Sequence, residues 1–361
     1  MVEKSTADSV MDAGGLSGEH VEMLPTEAAQ VLTDIYGLHG ELSRLPSEKD
    51  DTFKVVIDRK AHCVLKIANP HDSQEELDLQ IKLMQHVASV DPTIPIPEVL
   101  VSTSGQVLST IVDEAGQLRK VWAISFLPGD VLDTFDTNQH ERVKIGEMLG
   151  KMRLATVGFD HPTADRMVAW DVAYVDKVGA LIEFIGDEHE RELVQGVLDR
   201  MAVLKPRVDA LRKQVLHNDF SRSNILGDRN LPEFITGIID FGDASRTAIA
   251  IEVSTALMHH LPRDMAENPE QDLFERARDI IAGYLSVADL TEEELDLMPH
   301  LTMARVAARC LISLRRAQLF PYNETYILRN TQPSWGQLEW YLARSVDETS
   351  QTFSGMHNVK S

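Results

Sequence analysis

The chain has 361 residues, of which 57 are acidic and 35 basic, and its net charge at pH 7 is −22. This length suggests about two domains or lobes, and a hydrophobic fraction of 43% is ample for a buried core. The charge disfavours nucleic acid and anionic membranes as partners and suits a cationic or zwitterionic ligand, although acidity can also serve solubility alone. No apolar run approaches the ~20 residues of a membrane span and no secretory leader is recognisable, so we expect a cytoplasmic protein.

The first 24 residues are polar and rich in Gly, Ser and Asp, which predicts a mobile N-terminal tail. Val10, Met11 and Leu16 are scattered apolar residues within it. They leave open an alternative in which a short helix docks on a partner protein.

Residues 25–125 combine helical and strand patterns and predict a small β-rich lobe. Pro25 begins a helical pattern that ends at Gly37. The alternating runs TFKVVID and HCVLKIA predict a β-hairpin, and SQEELDLQIKLMQHVASV predicts a helix with Ser73 and Glu76 in capping-box spacing. Further strands are predicted at 98–103, 106–112 and 118–125.

Residues 126–130 contain the turn Leu-Pro-Gly and are predicted to form a hinge. Residues 131–361 are mainly helical in pattern, apart from short apolar runs around Val215 and Ile238. The predicted fold class is therefore α+β, with a small β-rich N-terminal lobe and a larger helical C-terminal lobe.

The most informative segments are VLHNDFSRSNIL and GIIDFGD in the second lobe. Phosphoryl transfer needs a carboxylate to accept the proton of the attacking hydroxyl, and oxygen ligands to hold Mg²⁺ against nucleotide phosphates. Asp219 fits the base, and Asn224 and Asp240 fit the metal ligands. If these were only loop and cap residues, the pairing of the two motifs would be unexplained. His217 is assigned to support of the loop.

Lys66 lies in mid-strand within VLKI and fits the cation that a triphosphate requires. A lysine between buried neighbours needs a charged partner. Glu75, Glu76 and Asp78 on the following helix are all candidates, of which we favour Asp78. A lysine that faces solvent from an edge strand is the alternative.

The arrangement LPSEKDDTF, VLKI, FLPG, HNDFSRSN and IIDFGD resembles the aminoglycoside phosphotransferase and choline kinase superfamily, whose fold is similar to that of protein kinases. Within it, YGLHGELSRLPSEKDDTFKV and LGKMRLATVGFDHPTADRMVAWDV are similar to the branch of hydroxylysine kinases and bacterial amino-alcohol kinases, above all the 1-amino-2-propanol kinases of microcompartment gene clusters. The resemblance implies a bilobal protein-kinase-like fold and ATP and Mg²⁺ as cofactors. It also implies a location either free in the cytoplasm or within a bacterial microcompartment, whose shell could bind the tail.

The resemblance also implies site roles. Asp219 would be the catalytic base, Asn224 and Asp240 the Mg²⁺ ligands, and Lys66 the phosphate-binding lysine. On the nucleotide side, the expected contacts are the adenine-binding backbone around Ile124 to Leu127, with Ile124 and Phe126 as named contacts, and the phosphate-covering segment from Ser47 to Phe53. The family usually has Gly where Asn218 stands and Asn where Thr52 stands.

Four residues are predicted to contact the substrate, namely Trp170, Asp171, Asp243 and Glu252. A carboxylate beside an ammonium group and a Trp over a cation are both reasonable pocket chemistry. The alternative is that a Trp in a helical lobe is core and an acidic residue is a cap or surface charge. For Trp335, Trp340, His259 and His260, packing is the preferred interpretation.

These observations predict an ATP-dependent phosphotransferase that acts on the hydroxyl of a small amino alcohol. The expected order of substrates is 1-amino-2-propanol, then ethanolamine, then hydroxylysine. An antibiotic-modifying aminoglycoside phosphotransferase is the alternative, followed by a catalytically silent kinase-like scaffold.

Overall fold

The computed structural model describes residues 21–47 and 50–356, apart from the side chain of residue 326. The predicted tail residues Val10, Met11 and Leu16 lie outside these ranges. The described chain forms a small N-terminal lobe built on a five-stranded antiparallel sheet, in the order β1-β2-β3-β5-β4, and a larger helical C-terminal lobe. The elements of the N-terminal lobe are helix α1 (Pro25–Tyr36), strands β1 (Glu41–Leu45), β2 (Asp51–Ile57) and β3 (Lys60–Ile67), helix α2 (Gln74–Val90), and strands β4 (Ser109–Val112) and β5 (Leu118–Ser125).

Local sequence explains most of these boundaries. Gly37 ends α1 with φ of 65°, a left-handed conformation that costs glycine little, and its N–H donates to the carbonyl of Thr33. The β2–β3 hairpin turns through Asp58 and Arg59, both at positive φ, which matches the twist of the paired strands. Ser73 caps α2 by accepting from the N–H of Glu76 at 3.1 Å. The predicted first helix, hairpin and second helix are confirmed.

Two strand predictions need correction. Residues 98–103 make only an isolated bridge between Val99 and Ile124, because the N–H groups of Ser102 and Thr103 donate to Gln106 and Ile35 and not to β5. The strand predicted from residue 106 begins at Ser109.

The predicted tail also ends earlier than residue 24. Met23 is 2% exposed and packs in the core of the N-terminal lobe. Its N–H donates to the carboxylate of Asp51, which also pairs with the fully buried guanidinium of Arg119 at 2.8 Å. One buried side chain at the end of a polar stretch left too weak a pattern for sequence reasoning to detect.

The largest apolar core lies mainly in the C-terminal lobe and extends to α2 and β5 of the N-terminal lobe. Helices α3 (Gln139–Ala155) and α7 (Glu275–Val287) cross closely. A Cβ on Gly146 would lie 1.9 Å from the carbonyl oxygen of Ile280, and one on Gly283 would lie 2.0 Å from that of Val143. Only glycine permits this backbone approach. The helices of the lobe are α3 (Gln139–Ala155), α4 (Val175–Val178), α5 (Glu188–Asp209), α6 (Ile249–Met258), α7 (Glu275–Val287), α8 (Glu292–Leu319), α9 (Glu324–Leu328), α10 (Gln332–Leu342) and α11 (Val346–Ser350).

Five short strands carry the loops of the candidate site. They are β6 (Asp130–Val131), β7 (Lys213–Leu216), β8 (Ile225–Gly227), β9 (Ile235–Ile238) and β10 (Ser245–Ala248). One sheet has the order β6-β8-β9, and β7 pairs with β10. The apolar runs predicted around Val215 and Ile238 are therefore strands, and they bring the two motif loops side by side.

The two cysteines are free thiols in separate cores, Cys63 in the N-terminal lobe and Cys310 in the C-terminal lobe, and both are 0% exposed. Within the described ranges, no helix is both long and apolar enough to cross a membrane.

Candidate active site

The loop after β7 is braced by His217. Its Nε2–H donates to the carbonyl of Ile239 at 3.0 Å, and its Nδ1 accepts the N–H of Asp219 at 3.2 Å. Burial lowers the pKa of His217, which keeps the ring neutral for this pair of bonds. The histidine therefore ties the loop to the strand before Asp240, in agreement with the predicted supporting role.

Asn218 occupies the position where the resembling family has glycine, and its φ is 62°. Asparagine tolerates this left-handed conformation better than most residues. The side-chain Nδ2 donates to Asp171 at 3.1 Å and to Ser245 at 3.0 Å, and the backbone N–H donates to Glu252 at 3.2 Å. These bonds give Asn218 a structural use that glycine would lack.

These bonds correct the prediction that Asp171 and Glu252 contact the substrate. They are 2% and 1% exposed, and their carboxylates hold the backbone and side chain of Asn218 from below. Asp171 also accepts from the N–H of Ala173 at 2.8 Å. Desolvation raises the pKa of both groups, that of Glu252 to about 7. They support the loop instead of facing a ligand.

Asp219 lies at the surface of the loop with 26% of its side chain exposed. Asn224 donates from Nδ2 to Asp219 Oδ2 at 2.6 Å, so its amide oxygen is free to point elsewhere. From the opposite side, Arg305 Nη2 lies 3.7 Å from Asp219 Oδ1. The carboxylate is thus held in one orientation while remaining accessible.

Asp240 lies beside Asn224 because Ile225 pairs with Ile238 across β8 and β9, and the N–H of Ile239 donates to the carbonyl of Asn224. Asp240 is exposed, has φ of 63°, and accepts the N–H of Gly242 at 3.1 Å. One amide oxygen and one carboxylate suit Mg²⁺, which usually takes its remaining ligands from phosphates and water. In the described part of the chain, no cluster of three or more His, Cys, Asp or Glu could hold a metal alone.

Lys66 pairs with Asp50, Nζ to Oδ2, at 3.5 Å, and lies 5.0 Å from the ring centroid of Trp122. The predicted pairing with Asp78 is wrong, since Asp78 binds Lys82 and His161 instead. Burial alone would lower the pKa of Lys66, but Asp50 and Asp240 outweigh it and raise the pKa, so the charged form is stabilised. The lysine therefore lies in the field of the Asp240 loop, as a phosphate-binding cation should.

The predicted nucleotide contacts are Ser47, Ile124 and Phe126. Ser47 Oγ accepts the N–H of Asp50 at 3.2 Å. Ile124 is buried, and the N–H of Phe126 donates to the carbonyl of His62 at 3.1 Å. This N–H is therefore already used, and the adenine contact stays a prediction. Phe126 would have to contact adenine through its carbonyl or its ring.

The phosphotransferase enzyme family model matches residues 41–290, more than half of the chain. The chain belongs to this family. Hydroxylysine kinase of Danio rerio is 23% identical over 337 residues, covering 90% of this chain and 93% of the relative.

Among solved structures, a microcompartment-associated aminopropanol kinase has a TM-score of 0.64 and 17% identity, over 88% of this chain and 97% of that chain. Amicoumacin kinase in complex with AMP-PNP and Ca²⁺ has a TM-score of 0.60 and 16% identity, over 92% and 96%. These similarities confirm the bilobal protein-kinase-like fold. The chain is a small-molecule kinase of the phosphotransferase enzyme family.

In this phosphotransferase, sequence reasoning missed Arg305. It is 4% exposed, and its guanidinium stacks 5.0 Å from the ring centroid of half-buried Trp170. Arg305 and Arg309 lie one turn apart on α8. The signal was present, because an arginine within the apolar run TMARVAARCL is costly unless it has a specific use.

The remaining predictions in this lobe concern packing. Trp335 and Trp340 are each 9% exposed and belong to the core, as expected. His260 is buried, and burial lowers its pKa to about 3.

Asp243 is half-buried on the loop after Asp240, where a side chain could still reach a bound molecule.

Proposed function

We propose that this kinase transfers the γ-phosphate of ATP, with Mg²⁺, to the hydroxyl of a small amino-bearing metabolite. The observation that carries the proposal is the position of Asn224. Its amide nitrogen holds Asp219, and its backbone pairs with the residue before Asp240, so one residue joins a candidate base to a candidate metal ligand. This is the combination that phosphoryl transfer requires.

In this proposal the acceptor hydroxyl donates to Asp219, which accepts its proton as the oxygen attacks the γ-phosphorus. The bond between that phosphorus and the bridging oxygen breaks, and ADP leaves. Asn224 and Asp240 would hold Mg²⁺, which neutralises charge on the phosphate oxygens when bound. Lys66 contributes a positive charge to the phosphates from the other lobe. Residues 126–130 are proposed as the hinge between the lobes.

The choice among substrates depends on charge at the acceptor side. Asp171 and Glu252 no longer favour an ammonium group there, because both are buried beneath the loop. The charged group that reaches Asp219 from α8 is Arg305. Burial beside Arg305 and Arg309 lowers the pKa of His259 well below its usual value. We therefore propose an acceptor that carries a carboxylate as well as an amino group, of the hydroxylysine type.

We also propose a location for the protein. One solved structure of the same fold is of a microcompartment-associated kinase. We propose that residues 1–20 could serve such an association by binding a shell protein, whereas deletion of this tail would leave the kinetics unchanged.

The test uses acceptors that differ only in the carboxylate. L-Threonine and 1-amino-2-propanol form one such pair, and homoserine and 3-amino-1-propanol form another. Hydroxylysine, ethanolamine, choline and kanamycin complete the panel, with ADP release and phosphorylated product measured together. We expect acceptor-dependent ADP release that disappears in Asp219→Asn. Absence of transfer to every acceptor would contradict the proposal.

The carboxylate assignment is tested by Arg305→Met on the same pairs. A charge-assisted hydrogen bond is worth about 1.5 to 3 kcal/mol, so the wild type should favour the carboxylate-bearing member by about 10- to 100-fold in kcat/KM. Arg305→Met should abolish that preference. If wild type instead prefers 1-amino-2-propanol over threonine, the amino-alcohol interpretation stands. If kanamycin exceeds all small acceptors, the antibiotic-modifying alternative replaces both.

A further inference from the structure

Residues 159–168 (FDHPTADRMV) form a loop after α3 that touches both helix α2 of the N-terminal lobe and the loop that carries Asp240. The 159–168 segment has no regular secondary structure, so its position depends on these contacts. It therefore connects α2 with the Asp240 loop.

The contacts with α2 are both polar and apolar. His161 Nε2–H donates to Asp78 at 3.0 Å, and its Nδ1 accepts the N–H of Thr163 at 3.2 Å. Arg166 Nη1 lies 3.7 Å from Glu76 Oε2. Ala164 is buried in one small cluster with Leu79 of α2 and Val215 of β7.

On the other side, Arg166 holds the metal-ligand loop by its backbone. Its Nε donates to the carbonyl of Ala244 at 3.1 Å, and its Nη2 donates to the carbonyl of Gly242. The N–H of Arg246 donates to the carbonyl of Ala164 at 2.7 Å. A single guanidinium, with only 14% of its side chain exposed, thus spans Glu76 and the two carbonyls that follow Asp240.

We propose that Arg166 is a positioning residue that couples helix α2 to the orientation of Asp240. Lys66 takes its carboxylate partner, Asp50, from the residue before β2 and not from α2, so this ion pair does not depend directly on the position of α2. A polar link from α2 to the Asp240 loop runs through Glu76 and Arg166 instead. The inference rests on the proposed metal role of Asp240.

The experiment compares Arg166→Gln, Glu76→Gln and the double variant with wild type. Glu75→Gln is the matched control, because Glu75 is the exposed neighbour of Glu76 on the same turn. Loss of a residue that orients a metal ligand typically weakens metal affinity by about 10- to 100-fold. We expect the free Mg²⁺ concentration for half-maximal turnover to rise by about that factor in Arg166→Gln, with kcat partly restored at high Mg²⁺. Glu76→Gln should give a smaller rise and add nothing in the double variant.

A second measurement does not depend on activity. Amide hydrogen exchange at residues 240–246 should accelerate in Arg166→Gln and Glu76→Gln of the nucleotide-free protein, and be unchanged in Glu75→Gln. Identical Mg²⁺ dependence and exchange in Glu76→Gln and Glu75→Gln would overturn the coupling. If no acceptor is phosphorylated by wild type, the proposed function fails, while the exchange result still decides whether α2 and the Asp240 loop are linked.

Discussion

Arg305 lies between Trp170 and Asp219, stacked at 5.0 Å on the indole ring and 3.7 Å from the carboxylate. Stacking on the ring stabilises the guanidinium by about 1 kcal/mol and holds it in one plane. This contact should fix the distance between Arg305 and the acceptor. We expect Trp170→Leu to raise KM for the acceptor by about 2- to 10-fold with a smaller change in kcat. Trp170→Phe keeps a ring face and should be close to wild type. Equal KM values for all three proteins would show that the stacking is incidental.

Asp219→Asn should lower turnover while leaving the fold intact. The change removes the proton acceptor but keeps the shape, and a positioned proton transfer is typically worth about 10² to 10⁴ in rate. Steady-state kcat, nucleotide affinity and melting temperature are measured together. More than a tenth of wild-type activity would contradict the assignment as base.

At the metal site, Asp240→Asn is a more specific test than Asp240→Ala, because asparagine keeps the left-handed backbone conformation that alanine disfavours. We expect Mg²⁺-dependent nucleotide affinity to fall by at least about 10-fold in Asp240→Asn and to be lost in Asp240→Ala. Calorimetry with and without Mg²⁺ separates the metal effect from binding of the nucleotide itself. Unchanged affinity for the magnesium complex would rule out Asp240 as a ligand.

Glu252 makes stability depend on pH. Its folded pKa is about 7 against an ordinary value of 4.5, so the folded state holds the proton more tightly than the unfolded chain. The contribution of the Glu252 carboxyl to the free energy of unfolding is therefore complete below about pH 4.5 and is lost as the pH rises through about 7.

Glu252→Gln should remove this dependence and raise the melting temperature at pH 8, because the neutral amide still offers a carbonyl oxygen to the N–H of Asn218. The gain in the free energy of unfolding at pH 8 is at most about 3 kcal/mol. Thermal unfolding from pH 5 to pH 8 measures it. Parallel curves for the two proteins would show that this carboxyl titrates normally.

Asp51→Asn should destabilise the N-terminal lobe, because it removes the negative charge that lies 2.8 Å from the buried guanidinium of Arg119. Breaking a buried ion pair by removing one member costs about 3 to 5 kcal/mol. Asp113→Asn is the matched comparison, since Asp113 is 3.3 Å from the same arginine and should cost less. Urea denaturation of the three proteins gives the order, and a larger loss in Asp113→Asn would reverse it.

Sequence reasoning predicted the fold from patterns that depend on near neighbours. The proline and glycine around α1, the hairpin alternation and the Ser73 cap all act within a few residues, and all were confirmed. The motif spacing likewise placed Asp219, Asn224 and Asp240 in one site, because two short strands carry them to the same edge.

The errors concern burial and long-range pairing. Asp171 and Glu252 have the residue type of an ammonium-binding site, but only the tertiary structure shows them beneath Asn218. Asp50 and Asp78 are both near Lys66 in sequence, but Asp50 pairs with it while Asp78 pairs with Lys82 and His161.

The two buried thiols make the opening of each lobe separately measurable. Burial raises the pKa of both Cys63 and Cys310 to about 11, so neither reacts with a thiol reagent at neutral pH while its core is closed. Because one thiol lies in each lobe, the order of their modification in mild denaturant gives the order in which the lobes unfold. The native sequence therefore carries its own pair of unfolding probes, with no engineered label required.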